Sequence, residues 1–250
     1  ELIVTGGVIA GVMAVGMPVL AQPIVRKITG SDDFALGHFC TIGYIVQAGV
    51  AKITGDVSKS TEDFELPQSL SFLQDTYLSM MVVMIPIYLI PAIAAGPEVV
   101  APFANNVNYL VYSFLQSVQF VVGVYVLLSG VRLLLAEIVP AFRGIALRIV
   151  PNAIPALDCP VLFPYAPNAV IIGFISTTIG SVIGMFLFPS LGLAMILPGM
   201  LTNFFAGGTA GIFGNAVGGR RGAIIGGIFH GLFITLLPAL LLPLLGRLGF

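Results

Sequence analysis

Apolar runs of membrane-crossing length, punctuated by short charged clusters, set the plan of this 250-residue chain. Leu2 to Gln22 carries no charge, and about 20 such residues cross a hydrocarbon core of about 30 Å, so a spanning helix is predicted there. Gly7 and Gly11, one turn apart, offer a face for close helix approach. Arg26 and Lys27 then put its end in the cytoplasm, because basic residues collect on that side. Phe34 to Ile53 is a weaker apolar segment, interrupted by Gly37, His38, Gly43, Gln47 and Gly49, and predicts an element that enters and leaves on the same side. Thr54 to Gln68, with Asp56, Lys59, Glu62, Asp63 and Glu65, reads as a solvated loop whose mixed charge also suits a docking surface.

Ser69 to Thr76 predicts a short interfacial helix, and Tyr77 to Ala95 a second span kinked at Pro86 and Pro91. Gly96 to Asn106 carries Glu98 but no Lys or Arg and is placed outside. Val107 to Gly130 returns as a third span, and Arg132, Arg143 and Arg148 put its end inside. Ile138, Phe142, Ile145 and Ile149 recur at three or four residues, which predicts an amphipathic helix along the interface with Arg143 and Arg148 snorkelling.

The next stretch, Ile149 to Gly173, organises the rest. Pro151, Pro155, Pro160, Pro164 and Pro167 each remove a backbone donor and clash one turn back, so no continuous helix survives. Between Arg148 and Arg220 every residue is uncharged except Asp158, which sits among these prolines. A lone carboxylate on broken backbone in so apolar a chain is costly unless it is packed in protein or lines a cavity that a solute enters. Val170 to Phe188 is another span, with Gly180 and Gly184 as a small-residue seam. Leu191 to Val217 is long enough to cross, yet Pro198, Asn203, Thr209, Asn215 and the glycine run from Gly207 to Gly219 predict a second broken element. Paired broken segments flanking one span point to a transport site; pore lining or purely structural kinks are the other reading. Arg220 and Arg221 return the chain inside, and Ala223 to Leu245 leads out again.

Composition agrees. Apolar residues make up 58% of the chain and charged residues 8%, with a mean hydropathy of +1.07, whereas a soluble domain carries about 25% charged residues. The fold class expected is an all-α polytopic membrane protein, with about five spanning helices, two or three re-entrant or broken hairpin elements, and interfacial amphipathic helices. A net charge of -1 with no basic tract gives no argument for nucleic acid. No His or Cys stands at metal-ligand spacing around Cys40 or Cys159, which argues against a disulfide framework and a zinc site. The glycine run lacks the βαβ context and the Gly-Lys-Ser/Thr of a nucleotide loop. The chain opens at Glu1 without an initiator Met or a signal segment, and is expected to be part of a longer protein.

His38 can be read as a solute ligand or as a histidine satisfied at a helix end. His230 lies inside the last span and reads as packed and neutral rather than as a proton relay. A hydroxyl-rich solute needs buried donors and acceptors, which Asp158, His38 and freed backbone groups can supply.

The segments GHFCTIGYIV, STEDFELP, GVRLLLAEIVPAFRGI, PNAIPALDCPVLFPYAPNAVIIGF and NFFAGGTAGIFGNAVGGRRGA, in that order and over nearly the whole chain, resemble the ascorbate-type IIC permease of the bacterial phosphoenolpyruvate-dependent sugar phosphotransferase system. The resemblance implies a homodimeric, multi-pass permease of the bacterial inner membrane. A core domain with re-entrant hairpins moves against a dimerising domain in elevator fashion. Residues 1–250 are a partial permease region, with substrate-binding elements around 34–53, 149–169 and 191–219 and the remaining helices structural or dimerising.

The implied substrate is L-ascorbate or a related acidic sugar, phosphorylated on the cytoplasmic side from a phosphocysteine on a separate IIB protein, with IIA and the general phosphotransferase components upstream. Neither Cys40 nor Cys159 is that cysteine, and no catalytic residue, cofactor or metal is expected on this chain. Residue by residue, His38 matches the family's Gly-His motif and Asp158 its Asp-Cys motif, both in the substrate site. Phe39 stands where the family pattern has a glutamine ligand, which implies a different acidic sugar or a different hold on ascorbate. Family chains are longer on both sides, so further substrate contacts, including another Gly-His motif, are expected before Glu1 and a last span after Phe250.

An anionic solute would be repelled by Asp158, so positive half-helix N-termini are expected to offset it. Two other readings compete. One is a secondary transporter driven by protons or sodium, with Asp158, Glu137 or His230 as the coupling group; the other is a membrane scaffold whose kinks are only structural.

Overall fold

A backbone in an apolar environment must satisfy its own N–H and C=O groups, and helices do so within one segment. The computed structural model describes residues 2–64, 75–151 and 153–246, and these are mostly helix. In chain order the elements are α1 (Leu2–Thr29), β1 (Ala35–Leu36), α2 (Thr41–Thr54), α3 (Thr76–Ala95), α4 (Pro97–Val100), α5 (Tyr109–Arg148), β2 (Ala156–Leu157), α6 (Pro167–Ser190), α7 (Met200–Thr202) and α8 (Gly208–Gly246). Among the described residues five helical stretches are long and apolar enough to cross a bilayer: Val4–Thr29, Tyr77–Ala95, Tyr109–Arg148, Pro167–Ser190 and Met200–Pro243. This is an all-α polytopic membrane protein.

The chain divides into two compact units, Glu1–Phe64 with Phe142–Phe250, and Glu65–Ala141. In the second unit, α3 starts at an Asp75 cap that accepts from the Tyr77 and Leu78 amides. Tyr77 meets Tyr125 of α5 edge to face, with ring centroids 5.0 Å apart. Pro86 and Pro91 both lie within α3. The interfacial helix expected at Ser69 to Thr76 falls, except for Asp75 and Thr76, outside the described residues, as does the side chain of Arg143.

The third span and the amphipathic helix after it are one element. α5 runs unbroken for 40 residues, about 60 Å at 1.5 Å per residue and so about twice the hydrocarbon thickness. Gly130, read as the end of the span, and Pro140 both lie inside it; a helix interior tolerates glycine at modest cost and, given local adjustment, proline.

In the first unit, α6 and α8 pack backbone to backbone. Gly180 lies against the Ile228 carbonyl and Gly231 against the Thr177 carbonyl, so near that a Cβ on either would overlap the facing oxygen. Thr177 and Ser181 hydroxyls donate to the Gly227 and Gly231 carbonyls at 3.2 and 3.3 Å. The small-residue seam at Gly180 and Gly184 is thus used, Gly184 facing Thr235.

The glycine run differs from expectation. Leu193 to Gly199 is non-helical, but from Met200 the chain is helical through a π turn at Asn203–Gly207 and on to Gly218. These glycines do not break the helix; they let it lie on α6, Gly211 against the Ala169 carbonyl and Gly207 against Thr177. The break comes at Gly219, whose φ of 58° is left-handed and costs glycine nothing. The freed backbone is satisfied by the loop after α2: the Asp56 amide donates to the Gly218 carbonyl at 2.8 Å, and the Arg220 amide to the Lys59 carbonyl at 2.7 Å. Ser58, through its hydroxyl and amide, and then Lys59 and Arg221 hold the Asp56 carboxyl below its ordinary range.

That loop is not merely solvated. Thr61 is fully buried, its amide donating to Asn215 Oδ1 of α8 at 2.8 Å. Glu62 is half-buried and accepts from the Asn168 and Ala169 amides at 3.2 and 2.9 Å. A helix beginning at Pro167 after Ala166 has no side-chain cap of its own, so the orphan donors of its first turn take a carboxylate from far away in sequence.

Candidate functional site

The proline array leaves carbonyls around residue 156 without helical partners, and extended backbone before α2 takes them up. β1 runs parallel to β2, with Ala35 opposite Ala156 and Leu36 opposite Leu157. The Ala35 amide donates to Pro155 at 2.9 Å and the Gly37 amide to Leu157 at 2.8 Å. Glycine at 37 permits the approach, since a Cβ there would stand 2.8 Å from Ala156 Cβ. This short pair was not legible in the sequence.

Each strand leads at once into one of the expected site residues. His38 follows β1 and Asp158 follows β2, and their side chains meet with Nε2 and Oδ1 3.6 Å apart. Asp158 begins a 3-10 turn, Cys159–Tyr165, and accepts from the Cys159 amide at 2.8 Å and thiol at 3.1 Å. Its side chain remains 64% exposed, so its free oxygen is open to a solute. Both ring nitrogens of His38 face a neighbour. Its Nδ1 accepts from the Cys40 amide at 3.2 Å and lies 3.1 Å from the Tyr44 hydroxyl, as at a satisfied helix end; its Nε2 faces Asp158. Phe39 is 64% exposed beside them.

The third expected element reaches the same region. Phe163 of the 3-10 turn stacks on Phe205 at 6.0 Å and meets Phe204 edge to face at 5.7 Å, both in the π turn. Asn203, buried, accepts from Ser181 at 3.3 Å. Thr209 of α8 faces Tyr44 and Cys159.

One donor atom each of His38, Asp158 and Cys159 lies within 4.8 Å of the others, a juxtaposition that cysteine spacing did not reveal. Burial, and then Asp158, push the Cys159 thiol up. Burial lowers the His38 imidazole, opposed by Asp158, and so favours the neutral ring; the Cys40 amide donating to Nδ1 makes that nitrogen the acceptor. The ring's proton therefore sits on Nε2, the atom that faces the carboxylate. A proton donor beside an anionic acceptor matches a hydroxyl.

The expected help from helix N-termini changes as well. That of α6 is occupied by Glu62 and is closed to an anionic solute. That of α2, two residues past Phe39, has no side-chain cap. His230 is fully buried against Tyr44, with centroids 5.5 Å apart, and beside the Gly43 backbone. Sequence reasoning missed Tyr44 and Glu62. Tyr44 stands in the first turn of α2, six residues past His38, where nothing distinguishes it from a core aromatic. For Glu62 the one available signal was Ala166, a residue that cannot cap the helix it precedes.

A family profile described as EIIC-GAT, PTS system sugar-specific permease component, matches residues 1–250. The ascorbate-specific PTS system EIIC component of Mycoplasma pneumoniae (strain ATCC 29342 / M129 / Subtype 1) is 22% identical over 252 residues, an alignment covering 90% of this chain. The chain spans 38% of the length of that relative.

Proposed function

This chain belongs to the sugar-specific permease components of the phosphotransferase system, and from that premise we propose that it forms part of a permease importing L-ascorbate or a related acidic sugar. Import proceeds by an elevator-type movement of the hairpin-bearing core in a homodimer of the bacterial inner membrane, for phosphorylation by a IIB partner at the cytoplasmic face. The observation that carries this reading is the His38–Asp158 pair, donor and acceptor 3.6 Å apart on two broken segments tied by β1 and β2.

A sugar hydroxyl placed at the pair accepts from His38 Nε2 and donates to Asp158. Phe39 offers its ring face to the sugar where the family pattern has a hydrogen-bonding glutamine, so recognition at this position shifts toward apolar contact. The uncapped N-terminus of α2 supplies the positive end that offsets Asp158 for an anionic solute. Phosphorylation then adds about -1.5 to -2 charge, by analogy with phosphorylated side chains. Beside Asp158 that product binds poorly and leaves inward. The relative's name supports ascorbate as the first solute to test.

The full-length protein in detergent is expected to gain thermal stability as L-ascorbate is added, because a ligand that binds only the folded state raises the unfolding midpoint. A midpoint indifferent to L-ascorbate and to other acidic sugars would favour the scaffold reading instead.

A further inference from the structure

We propose that Ser60, Thr61 and Glu62 form a clip that anchors the loop after α2 to the first unit, at the point where the chain leaves for the second. The inference rests on the elevator reading above. Phe64 is the last residue of the first unit before the crossing at Glu65, and the clip ends two residues earlier. Its polar groups reach two helices far away in sequence. On α6, the Asn168 and Ala169 amides donate to the Glu62 carboxylate at 3.2 and 2.9 Å, and Asn168 Nδ2 donates to the Thr61 carbonyl at 3.3 Å. On α8, Asn215 accepts from the Thr61 amide at 2.8 Å and donates through Nδ2 to Ser60 Oγ at 3.1 Å. Within the clip, the Thr61 hydroxyl donates to Glu62 at 2.9 Å and the Glu62 amide to Ser60 Oγ at 3.1 Å.

The three elements joined here are those that bear the candidate site. His38 and Phe39 lead into α2, the turn begun by Asp158 leads into α6, and Thr209 lies on α8. When one unit moves against another, the connecting chain pulls on the first residues bonded to the rest of the unit. With the clip in place that pull falls on α6 and α8, through a fully buried Thr61. Without it the pull reaches the two backbone bonds that close the turn at Gly219, from the Asp56 amide to Gly218 and from the Arg220 amide to Lys59. The clip therefore stays closed through the transport cycle, and the loop travels with the solute site as one body.

The test uses the full-length protein carrying Ser60→Cys with Asn215→Cys, in vesicles loaded with IIB and its phosphoryl donor. Unlinked, the pair lacks the Asn215 bonds and should take up labelled L-ascorbate about fivefold to tenfold more slowly, the scale of one or two lost hydrogen bonds. Its affinity for L-ascorbate should be unchanged, which a general loss of structure would not allow. Joining the two thiols with a short bis-thiosulfonate should restore the wild-type rate, because a clip that never opens loses nothing by being locked. Wild-type protein given the same reagent controls for Cys40 and Cys159.

Uptake at the wild-type rate by the unlinked pair would overturn the proposal. So would a linked pair that binds L-ascorbate but no longer transports it, since the clip would then be a latch that has to open. Amide hydrogen exchange on the wild type gives a reading independent of transport: Thr61 should exchange as slowly as the first turn of α6, and exchange at the rate of an open loop would also overturn the proposal. If the double variant does not fold, that exchange decides alone. Failure of the wild type to take up L-ascorbate with IIB present would count against the functional reading, and the exchange of Thr61 would still decide the anchoring.

Discussion

Asp158→Asn is expected to abolish or greatly weaken L-ascorbate binding while the protein still folds. The substitution keeps the shape of the side chain and replaces a charged acceptor by a neutral one. Hydrogen bonds to charged groups contribute about 1.5–3 kcal/mol, so affinity should fall by about tenfold to a hundredfold, and further if the new amide points its N–H₂ at His38 Nε2–H. Folding should be spared, since Asp158 is 64% exposed and caps only the 3-10 turn at Cys159–Tyr165. Titration of the purified variant decides the matter. Unchanged affinity would remove Asp158 from the site.

Gly231→Ala is expected to cost about 3 kcal/mol or more of stability, at the upper end of overpacking effects. Its Cβ would overlap the Thr177 carbonyl oxygen and stand 2.6 Å from the Ser181 amide nitrogen. Both are backbone atoms and cannot rotate away. α6 would have to separate from α8, stretching the hydroxyl bonds from Thr177 and Ser181 to the opposite carbonyls. Gly16→Ala is the control, because nothing lies within 4 Å of a Cβ there and alanine favours helix by about 0.5–1 kcal/mol. Equal unfolding midpoints for the two variants would contradict the packing.

Much of the plan was legible because membrane spans are written in hydropathy. Each of the five spanning stretches contains an apolar run read as a span, though Tyr109–Arg148 runs on through the predicted amphipathic helix and Met200–Pro243 takes in much of the second broken element; the proline array between Ile149 and Gly173 stops the helix where the spacing demanded. Glycine proved ambiguous. The same residue that breaks a helix at Gly219, through a positive φ and a docked loop, supports close packing at Gly207 and Gly211. Which role applies depends on whether another backbone faces it, and that partner lies far away in sequence.

His38 and Asp158 stood out singly, as a histidine and a carboxylate in apolar surroundings. That they face each other depends on the parallel pairing of β1 with β2, two residues each and below any sequence signal. Glu62 was read with its neighbours as a solvated charge, since a cap supplied from a hundred residues away leaves no local pattern. The separation of His230 from Asp158 also looks different in three dimensions. His38 and Tyr44 stand between them, so the residues form a row rather than two isolated groups. His230 ends the row, beside the Gly43 backbone.

The central claim, that phosphoryl transfer rather than an ion gradient drives import, is tested most directly by uptake of labelled L-ascorbate into vesicles containing the full-length permease. With IIB and its phosphoryl donor inside, the label should accumulate as a phosphate ester, at a rate that survives collapse of the membrane gradient. Without IIB there should be no accumulation. Vesicles that concentrated unmodified L-ascorbate in the absence of IIB, and stopped when the gradient was collapsed, would contradict the account.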